Sequence, residues 1–175
     1  MKIVITGAAG FVGQNLLTIL GGKDEIIAMD RNSENLKLLE KLHPRVKTVN
    51  ANISESGNWE RSFKGAGAVI SLQAQIASKT NEAFYKSNVD AVKNIVKAMK
   101  KYKVPYLIHI SSSVVESVAK DDYTLSKKKG EELVKKSGVD YVILRPTLMY
   151  GCFDYKHLGW IIRFMEKTPV FPIPG

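Results

Sequence analysis

The chain has 175 residues, 45% of them hydrophobic, enough for one domain with a core of its own. Its net charge of +9, from 26 basic and 17 acidic residues, gathers in lysines at helix ends and faces without interleaved aromatics, so no nucleic-acid partner is expected. The sole cysteine, Cys152, excludes an internal disulfide, the scattered His43, His109 and His157 offer no metal-ligand spacing, and no apolar run approaches a membrane span.

The opening residues, Lys2–Thr6, read as a strand rather than a charged, apolar leader, which makes a cytoplasmic protein the expectation. The strand passes directly into Gly7, Gly10 and Gly13 at three-residue spacing, and then into a helix over Phe11–Leu20. A strand that turns tightly into a helix aims free backbone N–H groups and the positive end of the helix dipole at one point. That is an anion site, usually occupied by a pyrophosphate. Gly7 takes the turn, Gly10 lets the backbone approach a phosphate, and Gly13 lets the helix close on the sheet.

The second strand, Glu25–Met29, leads to Asp30, at the separation from the glycines where an acid accepts hydrogen bonds from an adenosine ribose. A carboxylate there repels a 2′-phosphate and favours NAD. Arg31 can pair with such a phosphate and keeps NADP open as the alternative. The plain reading of Asp30 is a helix cap or turn residue.

Helix Asn32–Leu42 and strands Val46–Val49 and Ala68–Leu72 come next. The long helix Asn81–Tyr102 then carries Phe84, Tyr85, Asn88, Val92, Ile95, Val96 and Met99 as one mainly apolar stripe. Strand Pro105–Ile110 ends in Ser111-Ser112-Ser113, hydroxyls placed either to meet a ligand or to satisfy their own turn. Helix Tyr123–Ser137 sets Leu125, Leu133 and Val134 against a lysine-rich side, and stacks Tyr123 and Lys127 one turn apart on one face. An ammonium beside a phenol stabilises phenolate, so such a tyrosine can exchange a proton with a substrate hydroxyl. In so lysine-rich a helix the spacing also arises by chance, and its place in a nucleotide-binding fold gives it weight.

Strand Tyr141–Leu144 and helix Lys156–Lys167 follow, and the apolar, turn-rich Phe171-Pro172-Ile173-Pro174-Gly175 reads like a connection cut before its next element. Short apolar strands alternating with helices predict an α/β Rossmann-type domain, a doubly wound parallel sheet with ligands at the strands' carboxyl ends. A serine hydrolase is disfavoured, because no Gly-x-Ser-x-Gly elbow is present.

The segments Thr6 to Gly13, Asp30, Asn52-Ile53, Asn88, Ser111 to Ser113, Tyr123 to Lys127 and Leu144-Arg145-Pro146-Thr147-Leu148-Met149-Tyr150-Gly151 stand in an order that resembles the short-chain dehydrogenase/reductase superfamily. The resemblance is to its extended NAD-dependent epimerase/dehydratase branch and covers essentially the whole chain. It implies that Gly7, Gly10 and Gly13, with Phe11 and Val12, hold the pyrophosphate, that Asp30 and Arg31 hold the adenosine ribose, and that Asn52 and Ile53 lie beside the adenine. Leu72, Gln73 and Ala74 would line the central cleft and Pro146 would border the nicotinamide. Lys127 would bind the nicotinamide ribose and tune Tyr123 as acid/base, with Ser113 orienting the substrate.

The implied chemistry is reversible hydride transfer on a nucleotide-sugar-like substrate. The resemblance also implies an NAD(P)-binding domain over 1–150, the start of an incomplete substrate-binding region over 151–175, and a homodimer through helices 81–102 and 123–137. The stripe on the first of those helices could equally face the sheet. Two features depart from the sugar-nucleotide epimerases: the short Val114–Asp122 segment and the Ser71-Leu72-Gln73-Ala74 end of the fourth strand. They resemble atypical members, including relatives of the complex I accessory subunit, and carry the alternative of a non-catalytic dinucleotide-binding structural or sensor protein.

Overall fold

The computed structural model describes residues 1–20, 22–154 and 158–168; the expected terminal connection, 171–175, lies outside them, as do the first two residues of the expected last helix. Six strands, β1 (Lys2–Thr6), β2 (Glu25–Asp30), β3 (Lys47–Asn50), β4 (Ala68–Ser71), β5 (Tyr106–Ile110) and β6 (Asp140–Leu144), form one sheet in the order β3-β2-β1-β4-β5-β6. Every pairing is parallel, as strands joined by helical crossovers must be. The order reverses between β1 and β4, so their carboxyl ends diverge there and open a crevice.

Helices α1 (Phe11–Leu20) and α2 (Ser33–Leu42) are joined by apolar packing to one face of the sheet. Asn32 caps α2 by accepting the Asn35 N–H at 2.9 Å. Beside the other face, α3 (Asn81–Tyr85) runs through a π-helical turn (Lys86–Asp90) into α4 (Ala91–Tyr102), with α5 (Asp122–Lys135) alongside. A short helix, α6 (Leu158–Met165), follows β6.

Two expectations about the helices need correction. The long helix contains a π-helical turn, and the Asn88 side chain within it takes up polar partners that a regular apolar stripe would not supply. Its Val92, Ile95 and Met99 lie in the sheet core, which resolves the stripe in favour of the sheet. On α5, Leu125 is exposed, whereas Thr124, Ser126, Lys127, Gly130, Glu131 and Val134 are buried. That inward face packs against the α3–α4 helix and its π-helical turn as well as the strand-end loops, and its polar side chains find partners there: Ser126 with Asn88, Lys127 with the Ile110 carbonyl and Glu131 with Arg145.

Gly13 fixes how α1 meets β1. A Cβ at that position would stand 2.2 Å from the Ala8 carbonyl oxygen, a backbone atom that cannot swing aside. Gly13→Ala is therefore expected to destabilise the chain by about 1–3 kcal/mol through overpacking, read as a lower denaturation midpoint in urea.

Candidate active site

The β1–α1 turn is built on two close contacts at the centre of the sheet. Gly7 has φ +71°, and a Cβ there would lie 2.6 Å from the backbone nitrogen of Gln73, so β1 and the segment after β4 approach as only a glycine permits. The Gly10 N–H closes the turn on the Gly7 carbonyl at 3.1 Å. Phe11 and Val12 then open α1, where first-turn N–H groups have no partner within their own helix.

Asp30, at the end of β2, accepts the Ala9 N–H at 3.1 Å on one oxygen and the Asn32 N–H at 3.0 Å on the other. These bonds orient the carboxylate beside the glycine turn and leave lone pairs for ligand hydroxyls. Arg31 instead reaches the Gln75 side-chain oxygen at 2.9 Å.

A cleft of about 650 Å³ runs along the strand ends. It is lined by Gly7, Gly10, Phe11, Val12, Asp30, Arg31, Asn52, Ile53, Leu72, Gln73, Ala74, Ser113, Tyr123, Lys127 and Pro146, so those expected site residues share one cavity. Gly13 is the exception, because it is turned into the α1–β1 contact. Asn52 also organises the following turn, accepting from Ser54 Oγ at 2.8 Å and donating to Glu55 at 2.8 Å. The cleft suits a dinucleotide: a glycine cradle that side chains would fill lies beside an acid already oriented, with room along the strand ends between them and Tyr123.

Toward Tyr123 the site rests on α5 and the loops after β5 and β6. Ser111 N–H donates to Leu144 O at 2.7 Å and Ser113 N–H to Pro146 O at 3.0 Å, carrying the β5–β6 pairing into the loops. The Tyr123 ring packs at an angle on Phe84, with centroids 6.4 Å apart. One turn on, Lys127 is only 2% exposed and its Nζ donates to the Ile110 carbonyl at 2.8 Å. Burial pushes its ammonium down to about 8, with the Glu131 charge opposing.

Several supporting contacts escaped the sequence reading, although Asn88, Gln73 and Arg145 themselves stood in it. Asn88 accepts from Gln75 N at 3.0 Å and donates to Ser126 Oγ at 3.0 Å, so the loop after β4 is held to α5. The Gln73 side chain folds back onto Thr6 Oγ1 at 2.5 Å and Ser71 Oγ, and Ser71 meets His109 Nδ1 at 3.2 Å. Burial, with Lys127 nearby, pushes His109 down to about 3 against the pull of Glu131, which leaves the imidazole neutral at pH 7.

Arg145 forks onto Glu131, Nε to Oε1 at 2.8 Å and Nη2 to Oε2 at 2.7 Å, and its Nη1 reaches Glu116 at 2.7 Å. The Ser111 hydroxyl lies beside Glu131 without a hydrogen bond of full geometry. The position of Glu131, one turn beyond Lys127, was visible in the sequence; its pairing with Arg145, the residue after β6, was not.

The sheet order and the glycine turn at its reversal define a Rossmann-type domain. Residues 3–172 match the NAD dependent epimerase/dehydratase family, and the chain belongs to that family. It is 25% identical, over 98% of its length, to ceramide reductase of Caulobacter vibrioides, and spans 53% of that protein. It is 23% identical, over 86% of its length, to the mitochondrial NADH-ubiquinone oxidoreductase 40 kDa subunit of Neurospora crassa, of which it spans 41%. The crystal structure of UDP-glucuronic acid 4-epimerase from Bacillus cereus, in complex with UDP-glucuronic acid and NAD, shares the fold. Its TM-score is 0.81 at 22% identity, over 95% of this chain and 63% of that one.

Burial alone would push the Glu131 carboxyl up, but the Arg145 guanidinium and the Lys135 ammonium bonded to it outweigh that and bring it from 4.5 down to about 2. A carboxyl lowered by folding stabilises the fold above its unfolded value, and that stability is lost as pH falls from 4.5 toward about 2. Arg145→Ala is expected to cost about 3 kcal/mol at pH 7, the low end for a broken buried ion pair because the guanidinium is partly exposed. Urea titrations should show that deficit shrinking as pH approaches 2, where a protonated Glu131 no longer needs the guanidinium.

Proposed function

We propose that this chain binds NAD across the reversal of its sheet and serves reversible hydride transfer at a hydroxyl-bearing carbon of a nucleotide-sugar-like substrate, as an epimerase, dehydratase or related oxidoreductase. The observation that carries the reading is the single cleft joining the glycine turn and Asp30 to Ser113, Tyr123 and Lys127. Phe11 and Val12 N–H groups would face the pyrophosphate, with Gly10 keeping the approach clear. Asp30 would accept hydrogen bonds from the adenosine ribose, beside Asn52 and Ile53. NAD is favoured over NADP because Asp30 faces that position as an acceptor while Arg31 is engaged by Gln75. Leu72, Gln73, Ala74 and Pro146 would enclose the nicotinamide.

The bound nicotinamide supplies hydride acceptance and return. Tyr123 would take the hydroxyl proton and give it back, Lys127 would hold the neighbouring ribose and favour phenolate, and Ser113 would orient the reacting oxygen. On this reading residues 1–150 form the dinucleotide-binding domain and 151–175 begin the substrate region. Pairing of two copies through helices 81–102 and 123–137 would use their outer faces, where Lys93, Lys97 and Lys129 are exposed.

A second reading, a non-catalytic dinucleotide-binding protein, is favoured by the short Val114–Asp122 segment and by the similarity to the Neurospora crassa subunit. Fluorescence titration is expected to show saturable NADH binding stronger than NADPH binding, with Asp30→Ala weakening NADH about tenfold through loss of a charge-assisted ribose contact of about 1.4 kcal/mol. In a form of the protein that turns over, Tyr123→Phe is expected to lower kcat by about 100-fold or more without loss of NADH binding. Unchanged turnover in that variant would remove Tyr123 from the chemistry. Tight NADH binding with no hydride exchange on any nucleotide sugar would select the second reading.

A further inference from the structure

Lys127 is an ammonium in a nearly closed interior, and Ile110 O is a neutral partner. One turn further along α5, on the same buried face, stands the carboxylate of Glu131, itself 2% exposed. Glu131 is not free to wander: Arg145 holds both of its oxygens, and Lys135 Nζ lies 3.2 Å from one of them. Arg145 directly precedes Pro146, whose carbonyl receives the Ser113 N–H, and its third nitrogen bonds Glu116 at the end of the turn that Ser113 begins. One ion cluster therefore ties together the three segments carrying Lys127, Ser113 and Pro146.

We propose that Glu131, held in a fork by Arg145, is a positioning residue of this site: its carboxylate answers the buried Lys127 charge and sets that ammonium for a ligand in the cleft. The proposal rests on the reading of Lys127 as a dinucleotide contact.

A purely structural ion pair would tie α5 to the β6 loop and leave the chemistry of Lys127 alone. The geometry goes further, because Glu131 and Lys127 share one face of one helix and are each 2% exposed, so little water stands between their charges to screen them. The titratable groups around Lys127 are Tyr123 and Glu131 on α5, neutral His109 on β5, and Arg145 and Glu116 behind Glu131, with Asp154 lining the same cleft. Among them Glu131 is the carboxylate that shares the buried face of α5 with Lys127, one helical turn away, and its charge opposes the effect of burial on the ammonium. Removing that charge makes Lys127 give up its proton at lower pH.

The test is an NMR titration of lysine-labelled, ligand-free protein, following Lys127 Nζ in wild type and Glu131→Gln, with Lys127→Met to assign the signal. Wild type is expected to titrate at about 8, and Glu131→Gln about one pH unit lower or more. A drop of that size takes the protonated fraction at pH 8 from about one half to about one tenth. NADH should accordingly bind Glu131→Gln about fivefold more weakly at pH 8, with wild-type affinity recovered near pH 6. An unmoved Lys127 midpoint overturns the proposal, even if the variant melts earlier, since that is all a structural pair would do.

Should Glu131→Gln fail to fold by circular dichroism, Glu131→Asp carries the same test: a charge withdrawn by one methylene is expected to shift the midpoint in the same direction by less. An unmoved midpoint there overturns the proposal equally. If Lys127→Met binds NADH with wild-type affinity at every pH, the reading of Lys127 as a cofactor contact fails. The lysine titration still decides whether Glu131 governs its charge.

Discussion

An ammonium buried to 2% exposure is the constraint around which the Tyr123 end of this cleft is arranged. Desolvation makes such a charge costly unless a strand carbonyl, a carboxylate or both stand within reach. Ile110 supplies the carbonyl from the end of β5 and Glu131 supplies the carboxylate from α5. Glu131 then needs answering in turn, which brings in Arg145 and, through it, Glu116. This chain of compensation explains why the inner face of α5 is polar where an amphipathic helix would present leucines.

The opposite end of the cleft depends on steric closeness rather than charge. Gly7 lets β1 press against the Gln73 backbone, and Gly13 lets α1 press against Ala8. Because β1 lies between β2 and β4, the same turn can address Asp30 on one side and the β4 loop on the other. The two ends are joined through side chains: Gln73 ties β4 to Thr6, Ser71 ties it on to His109, and Asn88 ties the loop after β4 to Ser126 on α5. These bonds satisfy groups that a crossing of strands and helices would otherwise leave buried without partners.

Local chemistry was legible in the chain because it is written over short spans. The glycine spacing after a β-branched strand, an acid one strand later and a Tyr–Lys pair one turn apart each report a structure that neighbouring residues alone can build. The strand positions agree with the structure to within a residue or so, most plainly for β1 and β4 at the centre of the sheet, whose short apolar runs are buried along nearly their whole length. Leu125 misled because apolarity alone does not decide which face of a helix is buried: α5 turns inward the face carrying Ser126, Lys127 and Glu131, each of which has a hydrogen-bond partner there. The π-helical turn at Asn88 was equally hidden: the side chain within it bonds Gln75 and Ser126, thirteen and thirty-eight residues away.

The sequence by itself determined an alternating α/β chain, a glycine turn at its start, an acid at the end of β2 and a Tyr–Lys pair on one helix, because propensity, periodicity and i, i+4 spacing act locally. Only the tertiary structure decided that these residues share one cleft, that Lys127 is buried, and that Glu131 meets Arg145. Those outcomes depend on which strands lie side by side, and the same strand order that sets β5 next to β6 brings Arg145 over α5, 14 residues along the chain from its partner.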